Sequence, residues 1–441
     1  MKSSQEQKGL FLFPVLLSLA FLFRLAFGVS SDFWNSDEKQ TYLIGLKLYT
    51  AGAWPYFGPD VTNTIQIPGA LQGLAAGLPF FILPIPEAPY ILLNILSFAA
   101  LCFFAWYCSE RLPEMPKWFI WTWLLTAPWT LNLSTHIVNP SYVLFGAILF
   151  FVGVIETYPF LTRNLVPLHW ANLMMGVALF WVMQFHMSWV ILIPFLFVSF
   201  YFQYRQQRLA ILKSVGWFAA GAILTGSFLI PTYLKYGLVG GLGSTNEAVK
   251  FNSANILSQW NVVEGILGRF LSLASYELPR FIGRNSGTRM AFIENNPWLV
   301  PFIVFLGLVG LLQPIALIVL WFRKEHTQKD WKAIKYLALA TICLLYVSFA
   351  FSFRAPYSHT FYVTFPVVML YSLYCWSEFL KKPRWRKFAM VFVVSGIIFS
   401  TGLAFDNFRR KSLYVDRSIP QAALDAKDYR ILGERREGSR F

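Results

Sequence analysis

Charge is what this sequence has least of. Only 13% of its residues are Asp, Glu, Lys or Arg, against 56% that are hydrophobic. That balance excludes an ordinary soluble domain and describes a chain that crosses a membrane several times. Nucleotide chemistry is missing as well, with no GxGxxG, Walker or HExxH pattern and no internal repeat of fixed period. Cysteine is confined to Cys102, Cys108, Cys343 and Cys375, each within or at the end of an apolar run and without paired metal spacing. They read as buried thiols, not as a disulfide framework or a metal site. The net charge of +15 would suggest nucleic acid for a soluble protein. Here the basic residues fall in short connecting loops, where they set membrane orientation, so no nucleic-acid partner is expected.

Long apolar runs are what the chain does have. MKSSQEQKG is short and polar. The run 10–29 behind it is long for a signal-peptide core and has no small-residue cleavage site, so it reads as a first permanent span entered from the cytoplasm. Residues 66–84 are apolar but broken by Pro68, Gly69, Gly73, Gly77, Pro79 and Pro84. Irregular backbone at membrane depth needs protein or water partners, so this stretch reads as re-entrant or surface-lying on the outer side. Spans follow at 88–108, 117–133 and 141–156. The run 170–203 exceeds one span and divides into two short helices meeting outside at Gln184, His186 and Ser188. Further spans lie at 212–233, 298–322, 333–352, 361–379 and 388–405.

The expected fold is an all-α polytopic membrane protein of about eleven transmembrane helices, N-terminus inside and C-terminus outside. One transmembrane domain covers 1–405, with outer loops at 30–86 and 234–296, and a charged tail occupies 406–441. The large loop holds short helical patterns, such as 254–275, and no clear core. A rival topology makes 66–84 a true span and 170–203 one helix, which places Arg111, Lys117 and Arg163 outside. The positive-inside bias favours the first.

Residues 30–60, SSDFWNSDEKQTYLIGLKLYTAGAWPYFGPD, carry the chemistry. Asn35 or Ser36 can cap a helix that runs to about Thr50, with Gly52 past its end. Tyr42, Leu43, Leu46 and Tyr49 form its apolar face, which suits a membrane surface. Asp37 and Glu38 fall in the first turn, where carboxylates complement the helix dipole. Their place at the outer boundary, a dozen or so residues after the in-span Arg24, suggests more than capping.

Arg24, the pair Asp37-Glu38, Tyr42 and the run Gly52-Ala-Trp-Pro55-Tyr56 resemble the start of the GT-C class of integral-membrane glycosyltransferases, nearest to relatives of protein O-mannosyltransferases and aminoarabinose transferases. The motif covers roughly the first 60 residues. The resemblance implies a polyprenyl-phosphate-linked sugar donor, a protein, lipid or glycan acceptor, and transfer on the non-cytoplasmic side of a cell membrane, the inner one in a bacterium. Asp37 would be the general base of an inverting transfer and Glu38 would orient the acceptor or a divalent metal ion. Arg24, Tyr42 and Tyr56 would line the substrate site. Many relatives carry another acid in the second outer loop, where this chain has His136-Ile-Val-Asn139-Pro140, which leaves fewer hard oxygen ligands for a metal.

Topology adds His186 at the outer apex, as a substrate contact or a hydrogen-bonded structural histidine, and Arg354 and His359 at another outer junction, as contacts for a donor phosphate. Arg280, Arg284 and Arg289 suit either anionic headgroups or a solvated basic face. A transporter or flippase of a lipid-linked substrate is the alternative, since broken helices and intramembrane polar groups serve it equally. A structural membrane subunit would need no acids.

Overall fold

The computed structural model describes residues 2–31, 36–60, 66–237, 270–273, 289–323, 330–351, 358–410 and 433–434. In chain order the helices are α1 (Lys2–Ser30), α2 (Ser36–Ala51), α3 (Leu71–Ile82), α4 (Ala88–Arg111), α5 (Lys117–Thr126), α6 (Pro128–Asn132) and α7 (Asn139–Glu156). Then come α8 (Leu168–Met183), α9 (Leu192–Gln206), α10 (Ile211–Gly226), α11 (Ile230–Tyr236) and α12 (Arg289–Asn295). The last are α13 (Val300–Trp321), α14 (Trp331–Phe349), α15 (Phe365–Leu380) and α16 (Pro383–Arg410). Among the described residues, nine helices are long and apolar enough to cross a membrane. The protein is membrane-embedded, and its described residues are mostly helical.

Burial sorts these helices into a centre and a rim. The apolar windows of Asn139–Glu156 and Tyr362–Leu380 are 83% and 89% buried, so α7 and α15 form the core. The windows of Leu12–Ser30 and Pro297–Trp321 are only 17% and 22% buried, which leaves α1 and α13 mostly facing outward. Leu308, Leu311, Leu312 and Ile315 are exposed on α13, as a lipid-facing side requires.

The expected span 117–133 is interrupted. Ala127 is extended (φ −59°, ψ 141°) ahead of Pro128, because a residue before proline is pushed out of the helical region. Proline also lacks the N–H that would reach back one turn, and the Thr130 hydroxyl supplies a donor to Leu124 O instead (3.1 Å). Arg24 takes the neighbouring Leu125 carbonyl (2.9 Å).

The run 170–203 divides as its excess length predicts. Met183 ends α8, and a 3-10 turn at Met187–Ile191 leads into α9. Residues 66–84 hold the short helix α3, mostly buried against α2 and α4.

Several expectations need correcting. The stretch between α2 and α3 contains a two-stranded antiparallel ribbon, β1 (Phe57–Asp60) and β2 (Gln66–Pro68), which the all-α reading lacked. Its prolines, Pro59 and Pro68, are tolerated because the ribbon is all edge. Cys343 is exposed, unlike the buried Cys108 and Cys375. Helix α16 runs on to Arg410, and Gly433 and Glu434 dock on the ribbon at Tyr56, Phe57 and Gln66, so the tail is partly a built element. Most of the expected helix 254–275 lies outside the described residues.

Candidate functional site around the acidic pair

Helix α2 presents its two acids differently. Asp37 is exposed in the first turn, whereas Glu38 is fully buried. Gly52 (φ +62°) takes the left-handed conformation that ends the helix, and its N–H bonds to Leu48 O (3.0 Å).

The helix does not lie free on a membrane surface. Tyr42, Leu43, Ile44 and Leu48 are buried in protein, and only Tyr49 of the expected apolar face is exposed. The reason is α3. A side chain at Gly45 would stand 2.6 Å from the Ala76 carbonyl carbon and 2.7 Å from Gly77 N, so the two backbones touch where glycine permits it. Tyr42 sets its ring edge-to-face on Phe80 (5.5 Å). At the other end of the pair, Tyr49, Leu78, Phe81 and Ile82 form an exposed apolar edge, suited to lipid.

A polar chain fixes the acid-bearing turn. The Thr41 hydroxyl donates to Asp37 O (2.9 Å). Gln72 Nε2 donates to Thr41 Oγ1 (3.2 Å) and to Asn139 Oδ1 (2.6 Å). Three helices, α2, α3 and α7, are thereby tied at the turn that holds Asp37. Asn139, offered in sequence only as part of a departure from the acidic pattern, is thus an anchor. His136 is a brace: its Nδ1 pairs with Asn132 O (3.0 Å) and its Nε2 with Ser31 Oγ (2.9 Å). The carbonyl can only accept, so Nδ1 carries a proton.

The remaining candidates scatter. Arg24 is fully enclosed, donating to Leu125 O, Thr130 O, Ser97 Oγ and Ser134 Oγ. Those contacts clamp α1 to the α5–α6 break and to α4. His186 is buried and caps the 3-10 turn, its Nδ1 accepting from Ser188 N (3.2 Å) and lying 2.8 Å from the Ser188 hydroxyl. Tyr56 is half-buried under Lys235, whose Nζ sits 4.0 Å from the ring centroid. Arg354 lies outside the described residues, as do Arg280 and Arg284. His359 belongs to the short helix Ser358–Phe361, but its side chain is outside the description. Arg289 starts α12 and is exposed.

Sequence reasoning missed Gln72, Lys235, Tyr236 and Glu434. A lysine just past the end of the run 212–233, on the side expected to be outer, runs against the positive-inside bias, and that was the available signal. Lys47 belongs to this group: burial pulls its ammonium below the ordinary lysine range, with Glu434 opposing the shift and Lys235 adding to it.

Among the described residues no three His, Cys, Asp or Glu side chains gather as a ligand set. The divalent ion expected beside Glu38 therefore has no ligand set of that kind among the described residues. No protein-family model matches the chain, and no match was found among curated proteins or solved structures.

Proposed function

We propose that the protein is a membrane glycosyltransferase that moves a sugar from a polyprenyl-phosphate donor to an acceptor hydroxyl on the non-cytoplasmic side. The observation that carries this reading is the unequal presentation of the acidic pair. Asp37 is exposed and Glu38 buried, while the chain Thr41–Gln72–Asn139 holds their turn in place. A base must reach the acceptor proton and keep its geometry, and this arrangement meets both needs.

In the proposed step the acceptor oxygen attacks the anomeric carbon from the face opposite the phosphate. The bond from that carbon to the phosphate oxygen breaks, the configuration inverts, and Asp37 takes the hydroxyl proton. The lipid phosphate leaves with its bonding pair and needs cations or hydrogen-bond donors nearby. Glu38, being enclosed, serves as a positioning residue.

The topology that goes with this function counts the broken α5–α6 pair and the shorter α8 as crossings beside the nine long helices. Arg111, Lys117, Arg163, Arg205, Arg208, Lys213, Arg323, Lys381 and Lys382 then share the cytoplasmic side. The acidic pair, the ribbon and the His186 turn share the other.

The test is transfer from radiolabelled polyprenyl-phosphate sugars in membranes, comparing wild type with Asp37→Asn. Loss of about two orders of magnitude in the variant is the expected result for a general base. Equal transfer by both would remove Asp37 from the chemistry. Lipid translocation without transfer from any donor would replace the enzyme by a transporter.

A further inference from the structure

The outer end of α11 forms a cup that holds the chain's own carboxylate. Lys235 Nζ lies 2.9 Å from Glu434 Oε2, and the Tyr236 hydroxyl donates to the same oxygen. The rings of Tyr56 and Tyr236 meet edge-to-face at 5.5 Å, and the Lys235 ammonium sits over the Tyr56 ring. An ammonium and a phenol converging on one oxygen, with an aromatic wall beneath the cation, recognise an oxyanion.

The segment bearing Glu434 is seated by more than that ion pair. Gly433 O accepts from Tyr56 N (2.9 Å) and Phe57 N (3.1 Å), and Gln66 Nε2 donates to Glu434 O (3.0 Å). Gly433 has φ +83°, a conformation that other residues adopt only with strain. Yet the ion pair is half open, with Lys235 44% and Glu434 30% exposed, and an exposed pair of this kind is weak and exchangeable. Beside the ammonium, the same stretch of helix turns Ile230, Tyr233 and Leu234 outward. The surroundings suit an amphiphile with an anionic head better than a free ion.

We propose that the cup of Lys235, Tyr236 and Tyr56 is a binding site for a phosphate-bearing amphiphile, and that Glu434 occupies it as an intramolecular competitor. This rests on the lipid-phosphate reading above and adds a regulation to it. A phosphate offers several acceptor oxygens and at least equal charge, so it displaces the single carboxylate. Binding then frees the tail, and a docked tail keeps the cup closed.

Trypsin reads this directly, because Arg430, Arg435 and Arg436 flank the docked pair. The full chain in detergent is digested briefly, and release of the C-terminal peptide is followed by mass spectrometry. Cleavage of a transiently opened segment tracks its open population, so Glu434→Gln should speed release by roughly threefold, as the loss of a weak exposed pair allows. Polyprenyl phosphate added to wild type should bring release to the same rate, with half-effect at lower concentration than inorganic phosphate. If inorganic phosphate is as potent, the site takes the free ion and the amphiphile is withdrawn. Release from wild type that neither compound alters overturns the proposal, whatever the variant does. So does a Glu434→Gln rate equal to wild type. None of these readouts needs sugar transfer, so the proposal and the transferase reading fail separately.

Discussion

Among the described residues two arginines are buried, and their surroundings differ. Arg111, at the end of α4, meets two acids: Glu156 Oε1 at 2.5 Å and Asp330 Oδ2 at 3.3 Å. Those acids are themselves occupied, Glu156 Oε2 accepting from Leu165 N and Val166 N, and Asp330 Oδ1 from Thr162 N. The result is a closed ionic cluster joining α4, α7, α14 and the loop 157–167. Arg24, inside α1, is held by two carbonyls and two hydroxyls, and no ion pair is found for it among the described residues. The first arginine neutralises charge; the second satisfies carbonyls left open by a broken helix. Being buried is thus no guide to what a cation is for.

The contrast can be broken by removing each cation in turn, with unfolding followed in detergent. Arg111→Leu strands two buried carboxylates and should cost about 4 kcal/mol, the largest effect. Arg24→Leu strands neutral acceptors only and should cost about 2 kcal/mol. Equal losses would mean that Arg24 has an anionic partner beyond those described. Arg163→Ala removes the exposed pair with Glu110 and should move stability by no more than about 0.5 kcal/mol. A larger change would extend the Arg111 cluster to the loop surface, since the Arg163 carbonyl accepts from Arg111 (2.7 Å).

Arg24 also marks the limit of the sequence. An in-span arginine near an acidic pair reads naturally as a ligand contact, because intramembrane charges are often functional. Nothing local announces that Pro128, more than a hundred residues on, opens the carbonyls nearby. What was legible was whatever repeats or punctuates locally: the apolar runs, the helix opening near Ser36 and closing before Gly52, and the division near Gln184–Ser188. The burial of Tyr42 was not, since it depends on a glycine contact between α2 and α3. Nor was the ribbon, whose strands are too short for an alternating pattern to stand out. Asp37 and Glu38 could be located from sequence, but their opposite exposure could not, since adjacent helical residues are distinguished only by what packs alongside. Gln72 carried no motif, and its value lies in bridging positions 41 and 139.

The docked tail has a consequence for biosynthesis. Gln66 and Glu434 are separated by 368 positions. At about 5–20 residues per second, the ribosome needs roughly 20–70 s between making the first and making the second. Throughout that interval the ribbon and α2 must keep their shape without the tail. The Gln72 bridge helps as soon as Asn139 has been made, much sooner. The tail contact is the last of these to form, so a newly made chain passes through a period in which its cup is open to whatever the surrounding membrane offers.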